Sequence, residues 1–527
     1  KSTSMINIDY LGSKLMTDVI KNIVIVGGGT AGWMVASRLS AKHQAAADSQ
    51  ITITLVESPT IKPVGVGEGT WPSMRSTLDA IGISEAEFIK ECDATFKQGT
   101  KFNGWVTGEK NDSYYHPFVS PRDFMQTNMV PFWQQNNQSV SFADTVCTQA
   151  QACEFGLAPK QISTPEYASV NNYGYHLNAG KFADLLKKHC MSKFSVKHVL
   201  DDVIKVNSAD NGDIASLATK SHGDIAGDLF IDCSGFSSIL IGEHYKIPFI
   251  EKLDTLFVDT ALAVQVPYEN DDSPISTVTQ STATSAGWIW DIGLINRKGI
   301  GHVYSSKHIT ESQAEQELVN YLGKSFKDAE ITKIPVKPGH RDHPWERNCV
   351  AIGLSAGFLE PLEASAIVQV ELSAQWLCEQ LPSTRSAMDI ISKRFNEEFS
   401  YRWGKIIEFL KLHYVLSQRT EDFWIENRKA SSIPESLQES LALWQHQFPW
   451  KHDFTRSNEI FGSPCYQYIL SGMGFTTQSS HQATMTENEI ALKNMHSNAE
   501  LTKKYLQHLP KHRDLLNEIR ANGFQAR

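Results

Sequence analysis

The sequence predicts an α/β fold, a parallel-stranded core that binds a nucleotide, with a helical C-terminal region wrapped on it. Three observations carry this prediction. Residues 22–26 (NIVIV) form a β-branched run that enters a glycine-rich turn and then a helix-like stretch to about His43. Residues 51–57 (ITITLVE) form a second strand that ends in an acid. From about residue 365 onward, helical patterning dominates.

Each further element follows in order. Residues 60–75 are rich in glycine and proline, which marks an ordered loop. Between 85 and 102 the spacing of Phe88, Ile89, Cys92, Phe96 and Phe102 predicts one face of a helix. Residues 110–165 are aromatic, rich in Gln and Asn, and irregular. Strand patterning returns at 195–233, with a hairpin turn at Ala209-Asp210-Asn211-Gly212, and continues over 255–304. Ile367, Val368, Val370, Leu372, Trp376 and Leu377 predict a helix that stops before Pro382. The last ~50 residues read as charged helix, and 477–488 as an exposed loop. The expected organisation is a ragged N-terminus over 1–20 and a core over 21–375, with 110–165 contributing to a substrate pocket. A helical substrate-side subdomain covers 376–527.

Composition bounds the function. At about 150 residues per domain, a chain of 527 residues holds two to four domains. Apolar residues make up 41% and charged residues 20%, values of a folded globular chain rather than a disordered or collagen-like one. A net charge of −10 argues against duplex nucleic acid and against anionic membrane surfaces as partners. No apolar stretch approaches the ~18 residues a membrane helix needs. Eight cysteines are scattered without a C-x-x-C pair, which points to a reducing compartment. With no signal-peptide pattern in the first ~20 residues, the cytoplasm is the expected location. His340/His343 and His446/His452 lack acids or cysteines at ligand spacing, so no metal is expected.

The strongest motif is Gly27-x-Gly29-x-x-Gly32, placed after a strand and opening a helix, with Glu57 25 residues beyond. The first glycine allows the tight turn, the second admits a pyrophosphate to the backbone, and the third packs helix on strand. The helix start at Thr30 and Ala31 offers unpaired N–H groups to phosphates. Glu57 can accept hydrogen bonds from ribose hydroxyls. This is a Rossmann-type site, and the motif alone does not separate FAD from NAD.

Several further segments, in order along nearly the whole chain, together resemble the flavin-dependent halogenases typified by the tryptophan halogenases. They are Gly27–Trp33 (GGGTAGW), Val64–Gly69 (VGVGEG), Phe96-Lys97-x-x-x-Lys101-Phe102, Tyr115–Phe118 (YHPF), Asp232–Phe236 (DCSGF), Gly287–Trp290 (GWIW) and Phe358–Glu363 (FLEPLE). The resemblance implies that reduced FAD and oxygen give a flavin hydroperoxide, that a chloride or bromide ion attacks it, and that the resulting hypohalous acid travels to a separate aromatic-substrate pocket. It also implies FAD contacts at Val66, Gly67 and Glu68, and a separate NAD(P)H-dependent flavin reductase as the source of reduced flavin. A homodimer is left open.

In this frame Lys97 is the catalytic lysine; its plainer reading is a solvated helix lysine, and Lys101 shares the predicted face. Glu363 is the catalytic carboxylate that meets the cationic ring; its plainer reading is a helix N-terminal acid, and Glu360 competes with it. Backbone amides of Ser365 and Ala366 fall at the halide site. Trp288 and Trp290 line the tunnel, or simply pack a strand. His116, Phe118 and Phe461 fall in the substrate pocket, where a lone ring is more often packing.

Three departures matter. The family's L-E-S-T-G reads Leu362-Glu363-Ala364-Ser365-Ala366 here, so the hydroxyl after the glutamate is missing. The G-W-x-W box is followed by Ile292-Gly293 instead of Ile-Pro. Where enzymes of free tryptophan carry a tyrosine pair and an ammonium-binding glutamate, this chain reads Pro449-Trp450 and Arg456, with Glu459 the nearby acid. An indole lacking the amino-acid group, or a larger or acidic aromatic, fits that change. A flavin monooxygenase and an idle flavin-binding protein are the competing readings.

Overall fold

A computed structural model describes residues 18–44, 49–61, 67–323, 330–479 and 483–524. Val66 lies outside the described residues, as do 1–17 of the predicted ragged N-terminus. Residues 18–20 belong to the folded body: Val19 bridges Thr384, and the buried Ile20 donates its N–H to the Ser383 carbonyl at 3.0 Å.

The first layer is a six-stranded sheet in the order Trp345–Glu346, Cys349–Ala351, Leu229–Asp232, Asn22–Val26, Thr52–Glu57, Val196–Leu200. All its pairings are parallel except at the Trp345–Glu346 edge. Helices cover one face, where Ile23, Ile25, Ile53 and Leu55 are buried with Trp33 and Met34 of the Thr30–His43 helix. On the other, Val24, Val26, Val56 and Phe230 pack on Ile214 and Leu217 of a three-stranded antiparallel sheet, so both faces are buried. The second layer is a seven-stranded sheet in which Thr260–Pro267, Arg297–Tyr304, Gly287–Gly293 and Thr279–Thr284 run antiparallel. It ends in Gly99–Asn103 and Ser113–Pro117.

Between these layers lies a small three-stranded sheet, Glu68–Gly69, Gly174–Leu177 and Thr95–Lys97. It corrects the prediction of one helix over 85–102. The helix spans only Glu85–Glu91; Thr95–Lys97 and Gly99–Asn103 are strands in different sheets. The chain crosses at Gly99, whose φ is +146° and whose Cβ, if present, would lie 2.3 Å from the His116 carbonyl oxygen. Only glycine fits there. The apolar spacing misled because Thr95–Lys97 is buried on both faces, which removes the alternation that would mark a strand.

The Arg385–Val415 helix has 31 residues, about 46 Å at 1.5 Å per residue. Phe395 and Phe399 anchor its first half beside Trp345 and Trp376, and Trp403, Ile406, Phe409 and Leu410 bury its second half in the core of the antiparallel sheet. This strut carries site residues from one layer to the other.

Candidate active site

A cavity of about 620 Å³ runs between the layers. At one end lies the glycine turn. Gly27 has φ +116°, and a Cβ there would stand 2.0 Å from the Cys233 carbonyl oxygen; a Cβ on Gly32 would stand 1.9 Å from the Gly27 carbonyl oxygen. Gly29 faces open space. Beyond it the Thr30–His43 helix begins with no side-chain cap, so its first N–H groups remain available to an anion. Glu57 lines the cavity and binds Lys187 (2.9 Å) and His198 (2.7 Å) through Oε2 only. Its Oε1 makes no hydrogen bond among the described residues and is placed to take a ribose hydroxyl. Gly67 and Glu68 continue the wall, and burial raises the Glu68 carboxyl to about 7. These residues fit a flavin dinucleotide: a backbone cradle for the pyrophosphate and an acid for the ribose.

Further along the same cavity stand Trp288, Trp290, Lys97 and Glu363. Register explains the tryptophans: Trp288 and Trp290 are two apart on Gly287–Gly293 and so share a sheet face. Lys97 is 1% exposed. A Cβ on Gly69 would lie 3.2 Å from both Lys97 Nζ and the Ala364 Cβ, and the Phe118 ring centroid is 5.3 Å from Nζ. The lysine thus meets the 362–364 turn at a spot kept open by glycine. Burial lowers its pKa to about 8, with Glu363 pulling the other way. Lys101 lies on a different strand, where it pairs with Glu154 at 2.7 Å. The shared face expected for the two lysines is therefore corrected.

Glu363 lies within the short 3-10 turn Leu362–Ala364 and has φ +63°, and Ala364 has φ +56°. Two successive non-glycine residues in the left-handed region are strained by roughly 1–3 kcal/mol each, and this twist separates the acid from the helix that starts at Ser365. Its side chain accordingly turns away from the helix N-terminus and accepts from His116 Nδ1 (2.8 Å) and His413 Nε2 (3.3 Å). Burial opposes the charge, but the two imidazoles outweigh it and hold the carboxyl well below the usual range. In return, although burial disfavours the His116 cation, Glu363 and Cys465 together carry its pKa up to about 10. The Ser365 and Ala366 amides open the helix and line the cavity, and neither donates a hydrogen bond among the described residues. A left-handed Ala364 before a right-handed Ser365 forms the concavity of successive N–H groups that suits a small anion.

The remaining predicted residues sit just behind the cavity wall. The His116 ring is 5% exposed and is flanked by Phe409 and Tyr468; its main partner is Glu363. Phe461 stacks on Phe409 at 3.8 Å and meets the edge of Trp71. Sequence reasoning missed His413 and Trp71, whose Nε1 donates to the Glu363 carbonyl at 2.8 Å. No local pattern marks either of them. Gly69 closes the Val64–Gly69 segment that carries the resemblance, but nothing local there shows that it makes room beside Lys97. Among the described residues no cluster of His, Cys, Asp or Glu could hold a metal ion, and no helix is long and apolar enough to cross a membrane.

Residues 22–489 match the tryptophan halogenase family. Over 479 residues the chain is 34% identical to tryptophan 6-halogenase SttH of Streptomyces toxytricini, covering 86% of this chain and 89% of that protein. It is 32% identical to tryptophan 7-halogenase RebH of Lentzea aerocolonigenes, covering 82% and 83%. The solved tryptophan halogenase from Shewanella frigidimarina superposes with a TM-score of 0.94 at 46% identity, covering 97% of this chain and 99% of that one. With the cradle and the Lys97–Glu363 pair sharing one cavity, these matches establish that the chain belongs to the tryptophan halogenase family and is a flavin-dependent halogenase.

Proposed function

We propose that this chain halogenates an electron-rich, indole-like aromatic that lacks a free amino-acid group, using chloride or bromide, with Lys97 and Glu363 as the catalytic residues. The observation that carries the reading is the single cavity joining the Gly27–Ala31 cradle to Lys97 and Glu363. Bound as reduced FAD, the cofactor supplies with oxygen the oxidising power that converts halide to hypohalous acid.

The chain's own residues do the rest. The Ser365 and Ala366 amides hold the halide. Trp288 and Trp290 separate the cradle from the reaction end and keep it dry. The Lys97 ammonium donates a hydrogen bond to the hypohalous oxygen and so makes the halogen more electrophilic. Glu363, kept ionised by His116 and His413, stabilises the cationic ring and then takes the proton from the substituted carbon. Lys97 Nζ lies over the Phe118 ring, 5.3 Å from its centroid, which leaves the ring beside the lysine to contact a substrate. Phe461 offers only the face turned away from Phe409.

The substrate assignment rests on what occupies the amino-acid end. Arg456 pairs with Glu398 at 2.9 Å and lies 3.6 Å over the Tyr401 ring. Glu459 accepts from the Tyr401 hydroxyl at 2.6 Å and from the Arg456 N–H. Both of these bonds fall on Oε1 of Glu459, and neither Arg456 nor Glu459 lines the cavity, so an ammonium in the cavity meets neither of them. A site without such a partner does not reward the ammonium it would have to desolvate. Equimolar indole and tryptophan in competition, read by mass spectrometry, should give halogenated indole in excess. A strong preference for tryptophan would refute the assignment.

A single dinucleotide fingerprint also supports an outside source of reduced flavin. The purified chain with FAD should bind the flavin yet consume NADH no faster than free FAD does, and an added NAD(P)H-dependent flavin reductase should start turnover. Rapid NADH oxidation by the chain alone would place the reductase function on this protein.

A further inference from the structure

We propose that Glu360 is a positioning residue that hangs the gate residue Trp288 on the catalytic loop and on the long helix that holds Glu363. The proposal rests on the halogenase reading above.

Glu360 is 1% exposed, three residues before Glu363 on the same loop. Its Oε2 accepts from Trp288 Nε1 at 2.7 Å and from the Tyr414 hydroxyl at 2.5 Å, while its Oε1 has no partner. Trp288 belongs to the cavity wall and Glu360 does not. The indole N–H is therefore turned out of the cavity, and the passage meets the carbon edge of the ring. Trp105 and Trp424 complete an aromatic box around Tyr414, with centroids at 5.3 and 5.7 Å.

A carboxylate is an expensive choice for such a place, because burial disfavours its charge; it raises this one to about 7. The nearest cation does not form an ion pair with it: Lys411 Nζ is bonded to the Thr255 carbonyl (3.0 Å) and Asn427 Oδ1 (2.7 Å). If packing were the task, an apolar side chain would perform it better. What a carboxylate does, and Leu cannot, is accept from an indole and a phenol at one point.

The layout gives that point a purpose. His413 and Tyr414 are consecutive on the Arg385–Val415 helix. The first grips Glu363 and the second grips Glu360. Two acids of one loop are thus pinned by one turn of helix, and Trp288, 72 residues before Glu360, is tied to that turn through the Glu360 carboxylate. The gate and the proton acceptor cannot shift independently. A loosened Trp288 would let oxidant escape before it reaches Lys97.

The test uses the full chain with reduced flavin supplied by a reductase, and compares Glu360→Gln with Glu360→Leu. Glutamine keeps an oxygen acceptor for both donors; leucine keeps the volume and removes the acceptor. Two quantities are read: halogenated product per reduced flavin consumed, and free hypohalous acid trapped by monochlorodimedone. The leucine variant should lose about tenfold in product yield, with trapped oxidant rising and substrate KM unchanged, as small misplacements at a reacting centre do. Glutamine should restore the yield. In a Trp288→Phe background, Glu360→Leu should change the partition no further, since effects passing through one residue are not additive.

An unaltered partition in Glu360→Leu, or additive effects in the double variant, would overturn the proposal. Failure of the unsubstituted chain to halogenate any indole would instead overturn the functional reading beneath it. A measurement on the flavin-free protein needs no Glu360 variant. The 15N-indole spectrum, with Trp288 assigned by Trp288→Phe, should show its N–H proton shifted downfield by a strong hydrogen bond. A Trp288 signal at the position of a solvated indole would also overturn the proposal.

Discussion

Lys97→Ala is expected to abolish halogenation, lowering kcat by at least about 10³-fold, on the scale of a lost acid or electrostatic catalyst, while leaving FAD affinity within about twofold. The two effects separate because the lysine stands at the Gly69–Ala364 end of the cavity, away from the Gly27–Ala31 cradle. Lys101→Ala serves as the control, since its Glu154 pair lies on the surface side of another strand. Near-normal halogenation by Lys97→Ala, or a dead Lys101→Ala, would reassign the catalytic lysine. The pH profile tests the role itself. With a pKa of about 8, Lys97 is an ammonium below that pH and an amine above it. Hydrogen-bond donation to hypohalous acid requires the ammonium, so rate should fall as pH rises through 8. A rate that rises through the same interval would mean that a neutral amine is halogenated outright. Stability should move in the opposite sense to rate. The folded pKa lies below the value of 10.5 for a free lysine, so the buried charge destabilises the fold fully below about 8. That penalty fades as pH approaches 10.5. Lys97→Met should therefore raise the melting temperature at pH 7 by more than at pH 10, read by calorimetry on the flavin-free chain.

Why some of this site is legible in the sequence and some is not has a physical reason. The cradle is local: strand, glycine turn and helix lie within 22–43, and each glycine answers to a backbone contact a few residues or one strand away. The halide amides are equally local, since the start of a helix after a Leu-Glu pair exposes N–H groups whatever side chains follow. Lys97 could be named from the resemblance, but not its setting. A three-residue strand buried on both faces carries no alternation, and Phe88, Ile89, Cys92 and Phe96 then imitate a helix face. Gly99 was the signal that could have broken that helix. The partners of the two acids are the least legible. His413 meets Glu363 across 50 residues, and Tyr414 meets Glu360 across 54. On a helix both read as core residues, and only tertiary packing decides which buried acid each will face. The same gap hid the setting of His116: the resemblance implies a ring of the substrate pocket, and its Nδ1 meets Glu363 across 247 residues.

Glu363→Gln should lower kcat by about 10²–10³-fold, the range for a lost general base, with substrate KM little changed. The substitution is isosteric, so the left-handed turn at 363–364 and the bond from Trp71 to the 363 carbonyl survive it. Only the charge and the proton-accepting oxygen go. A second consequence follows from the partner. Against the pull of burial, the carboxylate together with Cys465 lifts His116 to about 10; once the carboxylate is gone, the pKa of the buried ring should fall. The reaction end then loses its negative charge. A variant keeping more than about a tenth of normal kcat would place the proton acceptor elsewhere. The unsubstituted enzyme should show no loss of rate from Glu363 as pH falls through the ordinary carboxylate range, because two imidazoles hold its pKa well below it. His413→Gln removes one of those two imidazole partners. The Glu363 carboxyl should then titrate higher, and an acid limb should enter the measurable range, with rate lost as pH falls. If the His413→Gln profile keeps the same acid side as the parent, His413 does not hold the carboxylate in its charged form, and His116 alone sets its state.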